Sequence, residues 1–326
     1  MSRRVVVIGG PAGMSCALWL KHLRLTPYLI EQSDSLGGLQ RLSKFHNAWF
    51  LGSVGMTGEA LASQFSYHMQ VENIPVLVHA AVTAIAHTEK GYNLLITHGD
   101  PEKKELSIAA DAIVIATGTR LRELETYQDI PGFDAVVKAE CMTNQPASFD
   151  RVLEFAGKHV MVIGGGDNGF ETALLLARAA AHVDLVIRSE IKAQQWIVEE
   201  IKMLQSQGVV TLHCPASIQE FVVKNGRVHT TLQAADGKEK MIGADYIFSR
   251  TGFKPNIENI QEALQRGGSS ALACDKQKYL ITDAQLRTSL KQIYAAGDVV
   301  NPVNPCVATA VGQGTIAART IEYDLR

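Results

Sequence analysis

The chain has 326 residues, 46% of them hydrophobic and 20% charged, with a formal net charge of -2. That length exceeds one typical domain, so two domains with separate cores are expected. So weak a net charge argues against nucleic-acid recruitment. No stretch reaches the roughly 18 unbroken apolar residues of a membrane span, so no integral membrane segment is expected. The expected location is cytoplasmic, with peripheral membrane contact left open.

The chain opens on "RRVVVIGGPAGMSC", a buried strand running into a glycine turn and a helix. A dinucleotide-binding unit begins this way, but the fingerprint G-x-G-x-x-G has its first glycine replaced by Ile8, while Gly10 and Gly13 are kept. The following strand, "TPYLIEQ", ends at Glu31. A carboxylate there accepts both hydroxyls of an adenosine ribose and repels a 2'-phosphate, which suits FAD or NAD. Short strands with turn signals then lead to "DAIVIATG" at 111–118.

The same plan returns in "HVMVIGGGDNGFETALLLARAAAH", where Gly164, Gly166 and Gly169 complete the fingerprint. The next strand, "HVDLVIR", carries Ile187 in place of the acid and Arg188 after it, a weak lean towards NADP(H). Turns at Asn225-Gly226 and Asp236-Gly237 precede "DYIFSRTG", the counterpart of "DAIVIATG". Two nucleotide-binding domains follow. Ile8 to Glu31 and Gly164 to Ile187 are equally spaced, so Ile8 is read as a substitution, with Gly9 taking up the bend.

The five cysteines, Cys16, Cys141, Cys214, Cys274 and Cys306, form no C-x-x-C, no disulfide framework and no zinc spacing. The ten histidines contain no H-E-x-x-H, so no metal is expected.

These motifs resemble the low-molecular-weight thioredoxin reductases, within the pyridine nucleotide-disulphide oxidoreductases. The resemblance runs through "GGPAG" at 9–13, "LIEQ" at 29–32, "LGGL" at 36–39, "TGEAL" at 57–61, "IVIATG" at 113–118, "VIGGGDNGFETA" at 162–173, "TGFKPN" at 251–256 and "IYAAGDV" at 293–299. It implies an α/β fold of two Rossmann-like domains of the three-layer ββα type. An FAD-binding domain, 1–118 with 250–326, is split by an inserted NAD(P)-type domain, 119–249.

By the same resemblance, FAD is expected at Gly9, Gly10, Pro11, Ala12, Gly13, Glu31, Gln32, Gly38, Leu39, Val82, Ala116, Thr117 and Gly118. Its flavin half falls at Gly297, Asp298, Cys306 and Val307. The second nucleotide falls at Gly164, Gly165, Gly166, Asp167, Asn168, Gly169 and Arg188. A homodimer is implied.

Two departures modify this picture. "KAECMTNQPASFDRVLEFAGKH" holds Cys141 alone where the family has C-x-x-C, so the ordinary dithiol cycle is not expected. The family's H-R-R-x-x-x-R is "IRSEIKA" at 187–193, keeping Arg188 only. The expected protein is an FAD-dependent oxidoreductase mediating between a second nucleotide and a thiol, disulphide or redox carrier. Cys16, Cys141 and Cys306 are the candidate thiols. The diflavin-linked disulfide oxidoreductases of cyanobacteria, with a second FAD in the second site, match these departures. The alternatives are a ferredoxin-NADP reductase-like enzyme using NADPH and a non-catalytic flavin-binding redox sensor.

Overall fold

The computed structural model describes residues 3–99, 101–146 and 151–326; part of the connection around Cys141, residues 147–150, therefore lies outside the described residues. The chain divides into two compact units, Met1–Arg120 with Lys254–Arg326, and Leu121–Phe253. Residue 250, expected to open the returning part of the first domain, belongs to the second unit. The strand Tyr246–Ser249 carries the chain on, and Arg250 N donates to Ile163 O at 2.7 Å, which keeps it in the second sheet.

In the first unit the strand Arg4–Gly9 lies between Thr26–Ile30 and Ala112–Ala116, all parallel, with Val76–Leu77 and Ile293–Ala295 at the edges. Val5, Val6 and Val7 are wholly buried because both faces of the sheet are covered, as a continuous V/I run demands. Val5 and Val7 pack with the first helix, Pro11–His22, and the last, Val307–Asp324. Val6 and Ile8 pack instead with Val82, Ile85, Leu94 and Ile108 of the antiparallel sheet 80–88, 91–98 and 104–110. Helices, parallel sheet and antiparallel sheet make the three layers.

The second unit repeats this plan. Its parallel sheet runs in the order 210–213, 182–186, 159–163, 246–249, 142–143, and its antiparallel sheet is 216–224, 227–234 and 239–244. Met161, Ile163 and Ile247 pack on Phe221, Val228 and Leu232, while the helix Asp167–Leu176 follows the strand His159–Ile163. The fold is thus the mixed α/β architecture of two Rossmann-like units.

Among the described residues, no helix is long and apolar enough to cross a membrane. No group of three or more His, Cys, Asp or Glu among them is placed to hold a metal.

Candidate functional sites at two glycine turns

In the first unit Gly9 has φ +120°, and a Cβ built on it would lie 2.1 Å from Ala116 O. Only glycine fits a positive φ against a neighbouring carbonyl. Gly164 repeats the arrangement at φ +150°, with a Cβ 2.2 Å from Arg250 O. Strand register makes the equivalence plain: Ile8 pairs with Ile30, and Ile163 with Val186. Gly9 is therefore the structural partner of Gly164, and Ile8 that of Ile163. On the helix side, Gly10 and Gly166 are the N-caps.

This corrects the substitution expected at Ile8. The bend glycine and the N-cap are adjacent in the first turn, Gly9 and Gly10, and two residues apart in the second, Gly164 and Gly166, so the first turn is one residue shorter. Gly9 does take up the bend, as expected, because it occupies the first-glycine position itself.

A cavity of 520 Å³ opens over the first turn, lined by Gly9, Gly10, Glu31, Gln32, Gly38, Leu39, Val82 and Thr117 of the expected residues. Pro11, Ala12, Gly13, Ala116 and Gly118 do not line it. The first three form the opening turn of the helix, where a Cβ on Gly13 would come 3.0 Å from Val7. Glu31 is buried, and Ser33 donates to its Oε1 from N at 2.9 Å and Oγ at 2.6 Å. Its Oε2 carries no hydrogen bond among the described residues. Three residues that motif reading missed also line the cavity: Arg120, Asn256 and Glu258. Arg120 forks onto Glu258 at 2.7 and 2.9 Å, and this pairing holds the Glu258 carboxyl down at about 2. Asn256 and Thr117 exchange side-chain-to-backbone bonds at 2.6 and 3.0 Å. "TGFKPN" signalled Asn256; nothing local signalled the Arg120–Glu258 pair, whose members are 138 positions apart.

Asp298 gives a second test of fit. Its Oδ1 is buried with no partner among the described residues, and burial raises its pKa. A Cβ on the preceding Gly297 would come 3.0 Å from that of Ala12 and 3.9 Å from that of Ala310, so Asp298 follows a point where the first and last helices meet. Those helices cross in close contact: Ser15 Oγ donates to Val311 O at 2.8 Å, and a Cβ on Gly314 would come 2.9 Å from Cys16 N. Small residues at 12, 15, 16, 310 and 314 allow this approach. Two helix N-termini, at Gly10 and Cys306, therefore lie at the same end of the sheet, where they favour negative charge. A buried acceptor, a buried ribose-type carboxylate and a glycine turn fit FAD.

The candidate thiols separate. Cys16 is fully buried in the helix-side core, and burial pushes its pKa up. It is a small packing residue at a helix crossing, not a solvent-facing thiol. Cys306 is the N-cap residue of the last helix, with Sγ 3.4 Å from Thr309 Oγ1. Val307 is buried in the first turn of that helix. Cys141 immediately precedes the edge strand of the second unit and donates to Ala139 O at 3.3 Å. All five cysteines are free.

The second turn carries a cavity of 660 Å³, lined by Gly164, Gly165, Gly166, Asn168 and Arg188 of the expected residues, and also by Arg122, Arg250, Tyr127 and Lys192. Asp167 and Gly169 do not line it. Asp167 accepts from Gln194 N at 2.7 Å and Nε2 at 3.1 Å, while a Cβ on Gly169 would strike Gly164 O. Burial, reinforced by the Asp167 charge and opposed by Arg250, raises Glu171 to about 7. Burial lowers Arg250 to about 10.

Comparison with known proteins gives the family. The model of the pyridine nucleotide-disulphide oxidoreductase family matches residues 3–314. Glucosaminate ammonia-lyase of Pseudomonas fluorescens is 29% identical over 98% of this chain and 94% of its own length. A Staphylococcus aureus alkyl hydroperoxide reductase component is 26% identical over 99% of this chain, which spans 59% of that relative's length. Thioredoxin reductase of T. acidophilum superposes with TM-score 0.80 at 25% identity, covering 99% of both chains. A bacillithiol disulfide reductase from Bacillus cereus shares the fold with TM-score 0.80 at 19% identity over 99% of both chains. The chain belongs to the pyridine nucleotide-disulphide oxidoreductase family, FAD-binding enzymes of redox catalysis.

Proposed function

We propose that the protein holds FAD in its first unit and a second dinucleotide at its second glycine turn, and passes electrons between a donor and a thiol, disulphide or redox carrier without a C-x-x-C. The observation that carries this reading is the pairing of two glycine-turn cavities with a sequence whose connection into the second turn's strand holds Cys141 as its one cysteine. When bound, FAD supplies reversible two-electron chemistry. Gly9 and Gly10 let the backbone approach its diphosphate, Glu31 Oε2 accepts from the adenosine ribose, and Asp298 offers its open oxygen to the flavin side. Cys306 and Cys141 are the thiols proposed to meet a disulphide substrate.

The second dinucleotide is proposed to be a second FAD, as in the diflavin-linked disulfide oxidoreductases. Arg188 standing alone where a 2'-phosphate cluster would be supports FAD over NADPH. The protein is proposed to act as a cytoplasmic homodimer. The test is flavin stoichiometry together with anaerobic titration by NADPH, NADH and dithiols. Two FAD per chain with reduction by dithiols alone is the expected result. One FAD reduced rapidly by NADPH assigns a ferredoxin-NADP reductase-like enzyme instead, and a protein that takes up no flavin overturns the whole reading.

A further inference from the structure

At the position where the first unit has Ala116, facing the first glycine of the turn, the second unit has Arg250. Arg250 is only 6% exposed and lines the 660 Å³ cavity with Gly164, Gly165 and Gly166. Its Nη1 donates to Asn144 O at 2.7 Å and its Nη2 to Asn168 Oδ1 at 3.3 Å. Its buried Nε has no partner among the described residues. A guanidinium has five N–H donors, and leaving one of them buried and unmade is costly. The charge also lacks a full counter-charge. Burial raises the pKa of Glu171, the carboxylate whose field acts on Arg250, to about 7, and Asp167 is engaged by Gln194. The exposed Arg188 and Arg122 line the same cavity.

We infer that Arg250 is the diphosphate-reading residue of the second site: its fork, fixed by Asn144 and Asn168 beside the glycine turn, anchors the diphosphate bridge of the bound dinucleotide. The inference rests on the second-dinucleotide reading but concerns chemistry that FAD and NADPH share. A planar fork held in advance loses little freedom on binding an anion, and its bonds to phosphate oxygens are charge-assisted. It also explains how a site without the adenosine-end acid or the arginine cluster keeps its affinity: the recognition has moved to the middle of the ligand.

The test uses protein carrying FAD in its first unit with the second site emptied, with calorimetric titration of inorganic pyrophosphate, NADPH, FAD and adenosine into the wild type, Arg250→Met and Arg250→Lys. Expected for Arg250→Met is an about 10- to 100-fold loss of affinity for pyrophosphate and for whichever dinucleotide binds, with adenosine unchanged. Arg250→Lys keeps the charge but not the fork and falls between; it carries the test if the Met variant does not fold. Equal affinities in wild type and variants, equal losses for adenosine and dinucleotide, or a wild type that binds no pyrophosphate would each overturn the inference. Pyrophosphate bound and displaced by neither dinucleotide keeps the inference and sinks the second-dinucleotide reading. A dinucleotide bound equally by all three proteins does the reverse.

Discussion

In both units a glycine at positive φ lies against a carbonyl of the neighbouring strand, Gly9 against Ala116 and Gly164 against Arg250, yet the chemistry around them is opposite. The first unit has a buried carboxylate, Glu31, at the end of its second strand and a methyl at 116. The second has Ile187 at the strand end and a buried guanidinium at 250. One turn is also a residue shorter. The backbone device is the one that a close approach of a diphosphate requires. The difference lies at two strand ends beside it, where a side chain can change from acid to apolar or from apolar to base without disturbing the sheet.

Breaking the shared device should give the largest effects. In Gly9→Ala the added Cβ meets a carbonyl at 2.1 Å in a backbone region that L residues avoid, a cost of about 3 kcal/mol or more. The expected outcome is protein that purifies without flavin absorbance and melts early. Gly164→Ala should impose the same strain in the second unit. There the first unit's flavin should remain, with total flavin absorbance about halved, while the second dinucleotide is lost; loss of all flavin would show that the two turns do not act separately.

The next effect sharpens the electrostatic half of the contrast. Glu171, at about 7 in the folded protein, holds a proton that the unfolded chain releases near 4.5. Folding is therefore penalised as pH rises through that window, and the full penalty stands above about 7. Glu171→Gln should remove this dependence and gain about 2 kcal/mol at pH 8 relative to pH 4.5. Denaturant midpoints of variant and wild type that run parallel across the window would contradict it.

Glu31→Gln keeps the shape of the first site and removes its charge. Reconstitution of apoprotein followed by flavin fluorescence should give about 10-fold weaker FAD binding. Smallest are the thiol effects. Cys306→Ser should slow flavin reduction by dithiols in stopped-flow traces, whereas Cys274→Ser, whose thiol accepts from Gln261 at 3.5 Å, should leave it unchanged. Cys16→Ser should lower stability by about 1 kcal/mol through burial of a hydroxyl, with no effect on that rate.

The repeated strand–turn–helix plan, the identity of the loops and the carboxylate at 31 were readable along the chain because each depends on neighbours within about 30 residues. The shortened first turn was not, since equal spacing to the next strand conceals which side of the turn lost the residue; only the pairings of Ile8 with Ile30 and Ile163 with Val186 decide it. Arg250 is 86 positions from Gly164, and its burial, its open Nε and its equivalence to Ala116 arise from parallel strand pairing, which joins segments that sequence keeps apart. Likewise Cys16, a candidate thiol along the chain, is closed into the core by the crossing of the first and last helices, 296 positions apart at Ser15 and Val311. Sequence by itself determined the local devices of this protein, through backbone conformation and apolar periodicity. Only the tertiary structure decided which charges face which turn, because charge placement at a strand end is set by register between distant segments.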